Sequence, residues 1–210
     1  MKTDKFNYNL PEHLIAQYPS EQRADSRLLV ATESIQHEIF KDIGNHIMEG
    51  DLLVLNRTSV IPARLYGEKI TGGKIEILLE RFLSDHQTLT QIRSSRTPKG
   101  GSELVFTFKG ERFVATVKGR KNNFFILDWP VDPQSLFLKY GQIPLPPYMN
   151  RAAETLDEER YETIYADPNK KESVAAPTAG MHFDQELLNT LEHNGVEFGY
   201  VNLHVGAGTF

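Results

Sequence analysis

The chain has 210 residues, 40% hydrophobic and 24% charged, a globular balance that fits one large domain or two small ones and excludes a wholly disordered chain. Its formal net charge of −5 argues, as an average, against a nucleic-acid partner. The absence of cysteine excludes a disulfide framework, a thiolate metal site and a cysteine nucleophile; with no bilayer-length apolar run and no signal-peptide core in MKTDKFNYNL, a cytoplasmic protein without a membrane partner is expected.

In chain order, Leu10, Leu14 and Ile15 lie at helical spacing, with Pro11 suited to a first turn and Pro19 as a stop. Arg27–Ala31 and Ile35–Phe40 read as two strands around a polar turn, followed by a short helix around Asp42–Met48. Asp51–Leu55 (DLLVL) is a continuous apolar run, which reads as a buried strand. From Ala63 to Asp128 the texture changes to ARLYG, KIEILLERFL, QTLTQIRSS, ELVFTF, RFVATVK and NFFILDW, separated by Gly- and Asn-bearing turns. Such spacing predicts a small antiparallel barrel or sandwich. Asp132 and Pro133 then open a helix that Gly141 closes, IPLPPYMNR is extended by its prolines, and Asp157–Ala166 is an acidic helical stretch. SVAAPTAGMHF is a loop of small residues; Asp184 caps a helix with Leu187, Leu188 and Leu191 on one face; Val196–Leu203 is a strand. The expected fold is therefore α/β plus all-β. A mixed α/β domain (1–62 and 129–210, incomplete) carries an inserted small β-barrel (63–128). A strand entering a Gly-rich turn normally feeds another element, so a longer protein is expected.

Charge is unevenly distributed. Arg93, Arg96, Lys99, Lys109, Arg112, Lys118, Arg120 and Lys121 face only Glu103 and Glu111 in their segment, a local +6 that leaves −11 for the rest. Concentrated cations can meet phosphates and release counterions; they can equally keep strand edges soluble.

Four segments can carry chemistry. Asn56-Arg57-Thr58 follows the apolar strand, where open α/β sheets place ligands, though an ordinary strand exit looks the same. Lys74 and Glu76, two apart on a strand, share a face and either pair on the surface or line a charged pocket. In AAPTAGMHF, small residues admit a ligand to the backbone, and Thr178 and His182 offer hydrogen bonds just before a helix start. His204-Val205-Gly206-Ala207-Gly208-Thr209 places an imidazole and a Gly-x-Gly after a strand, a weak nucleotide signal by itself. A metal site on His182, His204 and Asp184 ranks behind these readings.

LPEHLIAQYP, GDLLVLN with VIPARLYG, TGGKIEILLER, IPLPPYMNR, ERYETIYA, VAAPTAGMHF and VNLHVGAGTF occur in that order over nearly the whole chain. Together they resemble the N-terminal three-fifths of the S-adenosylmethionine:tRNA ribosyltransferase-isomerase family of queuosine biosynthesis. The resemblance implies an α/β domain with an inserted barrel, no metal, and no cofactor beyond S-adenosylmethionine as ribosyl-donating co-substrate. It implies transfer and isomerisation of the ribosyl group onto 7-aminomethyl-7-deazaguanine at the wobble position of a tRNA, giving epoxyqueuosine, adenine and methionine. A monomer is expected.

By resemblance, Thr178, Ala179, Gly180 and His182 line the site, His204, Gly206, Gly208 and Thr209 sit beside it, and Asn56, Thr58 and Arg64 match the strand-exit motif. Lys74 and Glu76 lie in a matching stretch, and Tyr148, Arg151, Tyr161 and Tyr165 stack on bases or close the pocket. His204 or His182 is the acid or base. Arg93, Arg96, Lys99, Lys118, Arg120 and Lys121 are the RNA-facing cations. Arg57 stands where the family has an acidic or amide residue, and Ser59 where it has arginine. A non-catalytic RNA-binding protein using the basic barrel is the alternative.

Overall fold

The structure, a computed structural model, describes residues 2–209, the side chain of Thr209 lying outside the described residues. Residues 3–25 form only single 3₁₀ turns, Thr3–Phe6, Glu12–Leu14 and Arg23–Asp25, instead of the helix expected around Leu10 and Leu14. Pro11 and Pro19 bracket too short a run to offset helix nucleation, and Leu10 and Leu14 stay exposed, so no apolar burial supports one.

Strands β1 (Arg27–Ala31) and β2 (Ile35–Ile39) form the expected hairpin. The helix expected around Asp42–Met48 is a 3₁₀ segment, Phe40–His46; Ile43, Gly44 and Asn45 are poor helix formers. Strand β3 (Leu52–Asn56) pairs in parallel with a strand from the far end of the chain, and β4 (Ser59–Val60) follows it. DLLVL is not fully buried: Leu53 and Leu55 face the core, while Leu52 and Val54 are exposed because no element among the described residues covers that face.

Residues 64–128 close into a barrel: β5 (Arg64–Lys69), β6 (Lys74–Ser84), β7 (Gln87–Ser94), β8 (Glu103–Phe108), β9 (Glu111–Lys121) and β10 (Phe124–Asp128). The spatial order is β10-β7-β6-β5-β8-β9, all pairs antiparallel. Alternation along these strands sends Leu65, Ile75, Ile77, Leu79, Leu104 and Phe106 inward. The helix α1 (Pro133–Tyr140) joins this core through Leu136 and Phe137, and Trp129 donates its indole N–H to Thr88 Oγ1 at 2.9 Å inside it. Asp132 caps α1 by accepting from the N–H groups of Gln134 and Ser135.

The acidic helical stretch is shorter than expected: α2 is Thr155–Arg160, opened by a Glu154–Asp157 capping box. It stops where Tyr161 turns into a small core with Val60, Ile143, Leu145 and Ala176. After β11 (Lys171–Ser173), which pairs with β4, comes α3 (Gln185–His193), capped by Asp184 as its sequence predicts. Its buried face, Leu187, Leu188 and Leu191, packs with Phe40, Leu55 and Phe183, each leucine contributing roughly 1.5–3 kcal/mol. Strand β12 (Glu197–Val201) completes the order and pairs with β3.

Candidate functional site

A cavity of about 400 Å³ opens where three segments meet. Residues 15–26 form one wall, 145–161 the second, and Thr178, Met181 and His182 the floor. Arginines tie the walls together by donating to backbone carbonyls. Arg151 Nε reaches Gln17 O at 2.8 Å, Arg160 reaches Ser20 O at 2.9 Å and Glu21 O at 3.0 Å, and Arg23 reaches Glu159 O at 2.9 Å and Met181 O at 3.1 Å. Each bond crosses about 130 or more residues of chain, so the cleft exists only in the folded state.

Arg151 is held hard. Its guanidinium meets Asp157 in a two-pronged pair at 2.6 and 2.7 Å, donates to Ala152 O, and lies 4.4 Å over the Tyr18 ring. The pair holds the Asp157 carboxyl below the usual carboxylate range. With nearly every N–H engaged, Arg151 shapes the cleft more than it offers donors to a ligand. Tyr148 stands exposed at the rim. Tyr161 is buried, and burial pushes its phenol up to about 12, so it stays protonated.

His182 sits in the 3₁₀ turn Thr178–His182. Its Nδ1 lies 3.0 Å from Ser26 Oγ, and its ring leans on Phe40 at 5.2 Å between centroids. Burial, then the Arg23 charge, lowers its pKa, which keeps the imidazole neutral at pH 7. Gly180 in the same turn accepts the close approach of Tyr165, whose hydroxyl occupies the space a Cβ would take. Tyr165 therefore packs behind the turn, outside the cleft lining, its phenol also pushed up to about 12 by burial. Ala179 belongs to this turn without lining the cavity.

The His204 segment is joined to residues 173–175, which lead into this turn, and not to the turn itself among the described residues. Val205 O accepts from Val174 N at 2.8 Å, and Val205 N donates to Ser173 Oγ at 3.0 Å. His204 opens onto a different groove, with Arg81, Phe82, Pro168 and Lys171. The fold thus does not bring the two histidines into one cavity. Among the described residues no group of three or more His, Asp or Glu side chains is placed to hold a metal.

Gly206 rests on the barrel, where a Cβ would meet Glu80 Oε1 at 2.8 Å. Glu80 is the extra residue of a β-bulge between Leu79 and Arg81, and it is buried beneath the 206–207 segment. Its carboxylate accepts from Ala207 N at 2.7 Å, and Gln91 donates to Ala207 O at 3.1 Å. Gly208 lies with Ala207 in the 3₁₀ turn Ala207–Thr209; the Thr209 side chain is outside the described residues.

The strand-exit residues are structural in their contacts. Asn56 ties β3 to the β12 exit by accepting from Leu203 N and donating to Leu203 O, both at 3.0 Å. Thr58 is buried, with its hydroxyl 2.7 Å from Ser173 Oγ. Arg57 lies 6.0 Å over the Tyr200 ring, and Ser59 donates to Glu162 at 2.6 Å. Arg64 donates to Leu145 O at 3.0 Å and stands 3.0 Å from Glu76, off its N–H direction. Glu76 therefore pairs with Arg64, and Lys74 is left exposed beside the β5–β6 turn.

The barrel sorts the cations. Antiparallel pairing puts the turns 70–73, 95–102 and 121–123 at one end and 85–86 with 109–110 at the other. Arg93, Arg96, Lys99, Arg120 and Lys121 lie at or next to the first end, Lys118 lies within β9 beside Asp128 at the end of β10, and Lys109 and Arg112 are at the opposite end. Sequence reading missed Lys69, which donates to Arg96 O and holds the 95–102 loop. Two cations are partly engaged: Lys118 is 3.4 Å from Asp128, and Arg120 lies 4.5 Å over Phe125.

Sequence reading also missed Tyr18, Ser20, Arg23, Ser26, Met149, Asp157 and Met181 as cleft residues. Tyr18, Met149 and Met181 lie in the stretches LPEHLIAQYP, IPLPPYMNR and VAAPTAGMHF that carry the resemblance; Ser20, Arg23, Ser26 and Asp157 lie outside all of them.

A closed antiparallel barrel, set beside paired parallel strands and a ligand-sized cleft lined by residues from 15–26, 145–161 and 178–182, defines a protein of α/β plus all-β class with its candidate site outside the barrel. The chain belongs to the queuosine biosynthesis protein family, whose model matches residues 3–210. It is 47% identical over its whole length to the S-adenosylmethionine:tRNA ribosyltransferase-isomerase of Xylella fastidiosa (strain 9a5c) and 48% identical to that of Acinetobacter baylyi, covering 60% and 61% of them. The crystal structure of S-adenosylmethionine tRNA ribosyltransferase from Thermotoga maritima matches 96% of this chain and 58% of that one at 34% identity and a TM-score of 0.38. The chain thus spans about three-fifths of the length of these relatives. No helix among the described residues is long and apolar enough to cross a membrane.

Proposed function

We propose that this chain carries the cleft and the RNA-facing barrel of a tRNA ribosyltransferase-isomerase. It transfers and isomerises the ribosyl group of S-adenosylmethionine onto 7-aminomethyl-7-deazaguanine in a tRNA anticodon. The observation that carries the reading is the neutral, cleft-lining His182 beside Tyr148 and Met181, in a chain nearly half identical to relatives named for that reaction.

The sulfonium of S-adenosylmethionine acidifies its neighbouring carbons. His182 takes the proton from the ribose 5′ carbon, adenine leaves, the aminomethyl nitrogen attacks, and an epoxide closes as methionine departs. The tyrosine at the rim supplies a face for a base, and the walls exclude water. His204 lies in the other groove, outside this cleft, and is not the base in this reading. The cationic barrel end meets anticodon-arm phosphates. The barrel, 63–128, acts as an inserted domain between 1–62 and 129–210. The working protein is a cytoplasmic monomer that needs no metal and no cofactor other than its co-substrate.

The test is incubation with S-adenosylmethionine and an anticodon stem-loop bearing the aminomethyl-deazaguanine, with adenine release as the readout. Release that His182→Gln abolishes is the expected result. Salt-sensitive RNA binding without adenine release overturns the reading in favour of an RNA-binding protein.

A further inference from the structure

We infer that Ser26 is a positioning residue that fixes the tautomer of His182, placing the proton on Nδ1 and leaving Nε2 bare towards the cleft. The inference deepens the proposed function and rests on it for the catalytic meaning of Nε2, but the tautomer itself is a property of this chain alone.

The argument is a count of protons and lone pairs. Ser26 Oγ has three neighbours: His182 Nδ1 at 3.0 Å, Ser20 Oγ at 3.2 Å and the Arg23 carbonyl at 3.3 Å. It has one proton to give. The Arg23 carbonyl can only accept. Ser20 has its own proton committed to Gln22 O at 2.7 Å, the shortest bond of the group, so towards Ser26 it also acts as acceptor. Two acceptors therefore compete for the single Ser26 proton, and the lone pairs of Ser26 are left for Nδ1. Two bare acceptors make no bond, so the arrangement that keeps the most of these contacts bonded has Nδ1 as the donor.

The opposite tautomer would pull the Ser26 proton onto His182 and leave the Arg23 carbonyl without its side-chain donor. Arg23 is not free to adjust, because its guanidinium is pinned to Glu159 O and Met181 O. Nor can the imidazole turn over cheaply, with Phe40 against its face.

The other ring nitrogen has no hydrogen-bond partner among the described residues and is not enclosed. His182 lines the cavity, so the lone pair of Nε2 is the one a ligand in the cleft would meet. When Nε2 takes a proton, the ring becomes an imidazolium whose Nδ1–H still points at Ser26. The same anchor thus holds the side chain before and after transfer.

The experiment is long-range ¹H–¹⁵N correlation on the ¹⁵N-labelled chain at pH 8, with the His182 signals assigned by their loss in His182→Gln. The expected result is a protonated, pyrrole-type Nδ1 and a pyridine-type Nε2. Ser26→Ala should revert the ring to the Nε2–H form that a free side chain prefers, and Ser26→Thr should keep the wild-type pattern. A wild-type ring already in the Nε2–H form, or an unchanged pattern in Ser26→Ala, overturns the inference. The wild-type spectrum decides it even where the alanine variant does not fold. In the adenine-release assay, Ser26→Ala should lower kcat about tenfold or more with little change in KM. If the tautomer is as inferred and kcat does not move, the base role of His182 falls while the tautomer assignment stands.

Discussion

Gly180→Ala tests how the small-residue turn is built. A Cβ at Gly180 would overlap the Tyr165 hydroxyl oxygen and stand 3.0 Å from Thr163 Cγ2 and 3.1 Å from Tyr165 Cζ. Thr163 is buried and cannot swing into solvent, and Tyr165 is held by a large aromatic ring against the α3 core. Overpacking of this kind costs about 2 kcal/mol. The Tyr165 hydroxyl makes no hydrogen bond among the described residues, so Tyr165→Phe alone should change stability by less than about 0.5 kcal/mol. The double variant removes the worst overlap and leaves only the tight carbon contacts. Its stability should exceed the sum of the two single changes by about 1–1.5 kcal/mol. Urea unfolding followed by far-UV circular dichroism reads this directly. At about 2–3 kcal/mol per molar for a chain of this size, Gly180→Ala moves the midpoint by roughly 0.7–1 M. An unshifted midpoint in Gly180→Ala, or strict additivity in the double variant, would refute the claim that the Tyr165 hydroxyl is what excludes a side chain at 180.

Asp157→Asn removes the charge from a largely buried pair that also caps α2, and should cost about 2–4 kcal/mol in the same unfolding assay. Because the Asp157 carboxyl is held below its ordinary range, its stabilisation is complete above about pH 4 and is lost as pH falls through the lowered folded value; Asp157→Asn should flatten that acid limb. His182 has a lowered pKa too, so it favours the folded state above its unfolded value of about 6.5 and loses that contribution as pH drops through the lowered folded value; His182→Gln should shallow the stability curve as pH falls below about 6.5. At the barrel, Lys99→Glu with Lys121→Glu should weaken binding of an anticodon stem-loop and reduce the log–log salt slope by about 2, whereas Lys109→Glu with Arg112→Glu at the far end should leave both unchanged.

The barrel was legible because its information is local. Several strands alternate with period two, and most turns name themselves by glycine or asparagine, as Lys121-Asn122-Asn123 does with Asn122 at φ 55°. The Asp184 cap and the leucine face of α3 were legible for the same reason. The N-terminal segment was not. Leu10, Leu14 and Ile15 mimic a helix stripe, yet what shapes residues 15–26 is a set of arginines 130 or more positions away that donate to their carbonyls. A bond from a side chain to a backbone oxygen asks nothing of the residue that owns the oxygen, so Gln17, Ser20 and Glu21 carry no pattern to announce it. DLLVL misleads in the opposite direction, since its composition promises two buried faces and only the face of Leu53 and Leu55 is covered.

The same distinction explains why the candidate site was half visible. PTAGMH and HVGAG stand out as motifs because small residues tolerate close approach, and the structure shows two different causes behind that one signal. Gly180 yields to a tyrosine ring, and Gly206 yields to the Glu80 carboxylate of the barrel. Neither glycine lines the cleft. The smallness at these positions lets the chain pass closely over its own interior; His182 lines the cleft, and His204 lines a different groove. Ser26, which contacts His182, is a half-buried serine after a 3₁₀ turn, of a type found in every protein. What singles it out is the donor–acceptor arithmetic around one oxygen atom, which exists only once residues 20, 23, 26 and 182 have been folded together.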